Sequence, residues 1–136
     1  MSTGRLHIDL AAIVANWQAL SALAHTEAAP VVKADAYGLG LAPVARALAQ
    51  AGARKFLVAF AEEGHLLRRA LGPGPEIMVL NGHMEGDARL LAEASLVPLV
   101  NSVDQLTRQL ESLPCSTVRR YRKMMFSTIQ PIGNRP

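Results

Sequence analysis

One cysteine, Cys115, stands in 136 residues, so no intrachain disulfide can form and a reducing compartment suits the chain. Aromatic residues make up 4%, too few for the side-chain platforms on which single-stranded nucleic acid stacks. Nor is there an uninterrupted apolar run approaching the ~18 to 20 residues of a membrane span. The nearest, Leu6 to Ala24, is broken by Asp9, Asn16 and Gln18 and reads as a helix rather than a secretion signal. With no leader and no span, the expected location is the cytoplasm. The length of 136 residues fits one ordinary domain and falls well short of the ~250 residues of a complete (β/α)8 barrel.

Acidic residues are missing from one region only. Residues 1–114 hold nine basic and eleven acidic side chains, whereas 115–136 hold five basic ones (Arg119, Arg120, Arg122, Lys123, Arg135) and no acid. The formal charge of +3 and the pI near 9.5, which would suggest an anionic partner, therefore belong to the tail. The run from Arg119 to Lys123 resembles a nucleic-acid or membrane-surface patch by composition alone, and a chance run explains it equally well. No nucleic-acid or membrane partner is expected. The tail also lacks a helix or strand period, so the chain divides into 1–114 and 115–136, and the change near Pro114 suggests a truncation or an altered reading frame.

What is there in abundance is Ala and Leu: half the residues are hydrophobic and 18% are charged, as in a soluble globular domain. Apolar residues from Ala11 to Leu23 recur at helical spacing, and Asp9 is placed to cap the helix. Val31 to Asp35 reads as a short strand closed by Tyr37-Gly38-Leu39-Gly40. A helix follows over Leu41 to Ala51, with Pro43 in its first turn and Gly52 at its end. Phe56 to Phe60, Ile77 to Leu80 and Leu96 to Val100 read as further strands. Helices are expected over Glu62 to Leu71, Asp87 to Ala94 and from Ser102, whose Ser-x-x-Gln form is that of a capping box, to Leu113. Four βα units with nearly all-apolar strands give an α/β fold with a parallel sheet. The pattern permits either a doubly wound sheet or part of a barrel.

In both architectures, chemistry sits at the C-terminal ends of the strands. Lys33 lies there, within the apolar stretch Pro30-Val31-Val32-Lys33-Ala34. Burial would favour its neutral, nucleophilic amine. A lysine whose stem packs while its ammonium reaches water fits the same placement. Tyr37, Gly38, Gly40 and the helix start at Leu41 could converge on an anion such as a phosphate, although neither a Walker loop nor a full dinucleotide fingerprint is present. A lysine for a carbonyl beside a cradle for a phosphate is what pyridoxal 5'-phosphate requires. Asp35 is placed to orient neighbouring backbone or to cap a turn. His7, His25, His65 and His83 are scattered without ligand spacing, so no metal site is expected. Cys115 has no placed histidine to make it a nucleophile.

The decapeptide Val31-Val32-Lys33-Ala34-Asp35-Ala36-Tyr37-Gly38-Leu39-Gly40 resembles the cofactor-attachment motif of alanine racemases. Ile8-Asp9-Leu10, Asn16, Ala45-Arg46-Ala47-Leu48, Glu62-Glu63 and Val100-Asn101-Ser102 are similar to that family's N-terminal region, over about residues 5–113. The resemblance implies about half of a TIM-type (β/α)8 barrel and interconversion of L- and D-alanine for peptidoglycan. Lys33 would hold the pyridoxal phosphate covalently and act as one of two acid/base groups, and Tyr37 would bind its phosphate. The family's second base is a tyrosine in the C-terminal β-domain of the partner subunit in a homodimer, and nothing here corresponds to it. The chain alone is therefore expected to be inactive. A barrel-type amino-acid decarboxylase is the rival within the fold, and a non-catalytic, cofactor-binding fragment is the rival outside it.

Overall fold

The computed structural model describes residues 4–113. The proposed tail of 115–136, with Cys115 and the 119–123 basic run, lies outside the described residues. The first helix, α1 (Leu10–Leu23), starts where Asp9 leaves helical backbone and its side chain accepts the Ala12 N–H at 3.0 Å, as an N-cap should. It leans on the next long helix through Leu10, Ile13, Val14 and Trp17, which are partly buried against the core. Trp17 Nε1 fixes the returning chain by donating to Ala28 O at 2.8 Å.

Three parallel strands follow in spatial order β1 (Lys55–Val58), β2 (Glu76–Val79) and β3 (Leu96–Pro98). Alongside β1, the expected first strand shrinks to a single rung: Val31 bridges Leu57, Leu57 N–H donates to Pro30 O at 2.9 Å, and Val32 N–H donates to Leu57 O at 2.8 Å. The expectation of a strand through Asp35 is thus corrected. After Val32 the chain turns into α2 (Lys33–Tyr37), and Val32 O accepts the N–H of Ala36 instead of extending the ladder. The last strand also ends earlier than the sequence suggested, at Pro98, although Leu99 N still donates to Val79 O at 2.9 Å.

Spatial order equals sequence order, with no reversal. Right-handed crossovers then put every helix on the same side, and neighbouring helices do pack in series, α1 on α3 (Leu41–Gln50), α3 on α4 (Ala61–Leu71) and α4 on α5 (Ala88–Glu93). A doubly wound sheet would reverse its order and place helices on both faces. The described sheet has the order of an arc of a barrel.

Alternation along the strands divides the two faces. Phe56, Val58, Ile77, Val79 and Leu96 are buried under the helices with Val44, Leu48 and Leu67. The register aligns Val31, Leu57, Met78 and Val97 in one row on the other face, where Val31 is 38% and Val97 42% exposed. That row is the arc's concave, barrel-interior side.

The strand entrances are tied by one side chain. Arg68 near the end of α4 donates to four main-chain oxygens, those of Ala94 (2.8 Å), Gly72 (3.1 Å), Pro75 (2.8 Å) and Ser95 (3.2 Å), a fan that only a guanidinium can fill. At the other end, α6 (Val103–Ser112) is held largely by polar bonds. Its N-cap Ser102 accepts from Gln105 N at 3.2 Å. Gln105 completes the turn from one residue further out than a capping box would, accepting from Asn101 N, and it also donates to Asn81 O at 2.8 Å. His83, 1% exposed, meets Gln109 Oε1 through Nδ1 at 2.7 Å. Gly82 lets the helix approach, because a Cβ there would lie 2.6 Å from Leu99 O and against Gln105 Oε1.

Candidate active site

Lys33 stands where the first strand stops, two residues after Val31, at the C-terminal end of the sheet. Its side chain is half-buried, and among the described residues its Nζ has no hydrogen bond or ion pair. The four residues that follow are left-handed without a glycine among them: φ is 50° at Ala34, 54° at Asp35, 53° at Ala36 and 57° at Tyr37. Each such residue costs on the order of 1–2 kcal/mol relative to right-handed backbone, so this turn needs support. Ala36 is buried, and main-chain bonds close the turn from Ala36 N to Val32 O (3.0 Å), Gly38 N to Ala34 O (2.9 Å) and Gly40 N to Asp35 O (2.9 Å). Strain of this kind gathers at functional sites.

Two carboxylates hold the turn from either side. Asp35 Oδ1 accepts the Leu41 N–H at 2.6 Å, capping α3. Glu63, in the first turn of α4, accepts from Ala34 N at 2.7 Å with one oxygen, and from Ala59 N at 2.7 Å and Phe60 N at 3.3 Å with the other. In the sequence Glu63 stands out only as a helix-opening acid and as part of the resemblance. Its real partners are main-chain N–H groups, one of them 29 residues earlier, for which no spacing rule exists.

These bonds correct the expectation of a glycine-loop anion cradle. The N–H groups of Gly38, Leu39, Gly40 and Leu41 all donate within the chain, and the Asp35 carboxylate occupies the helix N-terminus where an anion would otherwise sit. Of the groups expected to meet a phosphate, Tyr37 remains available. Its side chain is 63% exposed, and its hydroxyl is unpaired among the described residues. An unpaired lysine amine and an unpaired phenol four residues on, at the reactive end of the strands, fit a ligand with an aldehyde and a phosphate.

Elsewhere the candidates thin out. Among the described residues no group of three or more His, Cys, Asp or Glu side chains could hold a metal ion, and no helix is long and apolar enough to cross a membrane. A cleft of about 800 Å³ runs past His65, Arg68, Gly72, Glu76 and Ser95. It lies at the strand entrances, the end away from Lys33, and Arg68 there is already committed to carbonyls.

Known proteins match this chain over the same region. The family model for the N-terminal domain of alanine racemase matches residues 8–121. An alanine racemase from Ruegeria sp. (strain TM1040) is 60% identical over 114 residues, 84% of this chain and 33% of that protein. One from Dinoroseobacter shibae is 58% identical over 116 residues, again 84% and 33%. The crystal structure of alanine racemase from Bartonella henselae with covalently bound pyridoxal phosphate superposes with a TM-score of 0.72 at 41% identity, covering 76% of this chain and 29% of that one. The chain thus spans about a third of the length of the curated relatives it matches. With the parallel arc, the motif from Val31 to Gly40 and these matches in agreement, the chain belongs to the alanine racemase family, through its N-terminal domain.

Proposed function

We propose that residues 1–114 are the cofactor-anchoring part of an alanine racemase barrel, with pyridoxal 5'-phosphate attached to Lys33 and its phosphate met by Tyr37. The observation that carries this reading is the unpaired Lys33 amine at the strand end, followed at once by a strained left-handed turn that ends on an unpaired tyrosine. The parent enzyme interconverts L- and D-alanine in the cytoplasm as a homodimer. When bound, the cofactor ring takes up the electron pair released as the α-carbon of alanine loses its proton.

Lys33 Nζ has two tasks in this scheme. It would hold the cofactor, and with alanine bound it would move a proton at the α-carbon on its own face. Inverting a centre needs a second group on the opposite face, which in the scheme that the resemblance implies comes from the partner subunit's C-terminal domain. On this reading the chain by itself binds the cofactor without racemising alanine.

Mixing the chain with pyridoxal phosphate should give a visible absorbance band that disappears in Lys33→Ala. Borohydride should trap a single adduct on Lys33. D-Alanine incubated with the chain in deuterated water should show no racemisation. Absence of the band at saturating cofactor would overturn the binding claim, and racemisation by the chain alone would overturn the claim that it is only a binder.

A further inference from the structure

Parallel ladders advance two residues per rung. From the Val31–Leu57 rung, the next pair of bonds would run from Ala59 N to Val32 O and from Ala34 N to Ala59 O. Neither forms. Val32 O accepts Ala36 N, and Ala59 O accepts Asn81 N from the neighbouring strand. The two N–H groups stranded by this departure, Ala34 and Ala59, go to the two oxygens of the Glu63 carboxylate, each at 2.7 Å. One side chain thus replaces the missing rung, and it does so at the peptide joining Lys33 to Ala34.

From this geometry we infer that Glu63 is a positioning residue for Lys33. It lets the first strand peel from the sheet into the left-handed turn while pinning the Lys33 main chain to the end of β1. The amine is then presented from a fixed backbone rather than from a frayed strand end. A carboxylate suits the task because it is acceptor-only on both oxygens. An amide of the same shape would turn an N–H2 toward one of the two donors. The inference rests on Lys33 being the cofactor attachment point.

The test uses the full 136-residue chain and three variants, Glu63→Gln, Glu63→Asp and Arg68→Met. The last loosens the opposite end of the sheet and serves as a comparator for general destabilisation. Two quantities are read at matched folded fraction: hydrogen exchange at the Ala34 and Ala59 amides without cofactor, and the rate of the borohydride-trapped pyridoxal phosphate adduct at Lys33. In Glu63→Gln, exchange should quicken at the one of the two amides that faces the N–H2, and the Lys33 adduct should form more slowly, each by about tenfold, the scale of one charge-assisted hydrogen bond. Glu63→Asp, which keeps the charge on a shorter arm, should fall between Glu63→Gln and the parent. Arg68→Met should change both readings by less than about twofold.

Faster exchange with an unchanged adduct rate would overturn the positioning role while leaving cofactor binding intact. So would an equal slowing in Arg68→Met. If Glu63→Gln fails to fold, Glu63→Asp decides, and parental values of both readings in it overturn the inference. A parent chain that forms no adduct at Lys33 overturns the binding claim itself, a result the exchange data cannot mimic.

Discussion

The Asp35 carboxylate accepts the Leu41 N–H at 2.6 Å, across six residues of a turn that contains two glycines and ends at the start of α3. That bond explains how a helix with a glycine at its N-cap, and no capping side chain at that position, is nevertheless begun cleanly. It also occupies the helix terminus with a carboxylate, so under the proposed function Tyr37 would meet a phosphate without help from the glycine loop.

Removing the bond should therefore act on stability. Asp35→Ala leaves the first N–H of α3 without its acceptor and should destabilise the chain by about 1 kcal/mol, as loss of a capping oxygen does. Asp35→Asn, which keeps an acceptor in place, should lose less than half as much. Urea unfolding of the three proteins, followed by helix signal, measures the difference. Equal stability of Asp35→Ala and the parent would show that the cap is idle.

The two faces of the arc should respond unequally to truncation. Phe56 is fully buried between the sheet and the helices, and Phe56→Ala should cost about 3–5 kcal/mol, a large part of the roughly 5–15 kcal/mol that holds a domain together. Val97, on the concave row, is 42% exposed. Val97→Ala should cost under about 1 kcal/mol, since close to half of its surface already meets water. Thermal melts of both variants test the assignment of faces. A Val97→Ala loss comparable to that of Phe56→Ala would mean that the concave side is covered.

How far the sequence alone leads depends on what kind of signal each feature leaves. Helices and strands with a regular apolar period were legible nearly to the residue: α3 runs Leu41–Gln50 against an expected end at Ala51, and β2 runs Glu76–Val79 against Ile77 to Leu80. Barrel and doubly wound sheet share that period, so only the spatial order of strands, or the family resemblance, separates them. The left-handed turn was hidden because Ala34-Asp35-Ala36-Tyr37 contains no glycine, the residue by which positive φ is usually read. Glu63 was hidden for another reason: a carboxylate that binds main-chain N–H groups leaves no mark on the identity of its partners. Lys33 stood out as an ammonium in an apolar stretch at a strand end, and Tyr37 as a phenol beside two glycines and a helix start.

Tyr37 offers the most direct check on the ligand. Its hydroxyl is unpaired among the described residues and its ring is 63% exposed, so Tyr37→Phe should leave folding stability within about 0.5 kcal/mol of the parent, as surface substitutions generally do. If the phenol donates to the cofactor phosphate, the same change removes one hydrogen bond to a charged acceptor. The apparent dissociation constant for pyridoxal phosphate should then rise by about tenfold or more. Titration followed at the visible band gives that constant. Pyridoxal without its phosphate supplies the control, because the parent and Tyr37→Phe should bind it equally. A Tyr37→Phe protein that holds pyridoxal phosphate as tightly as the parent would remove Tyr37 from the site and leave Lys33 as the only anchor.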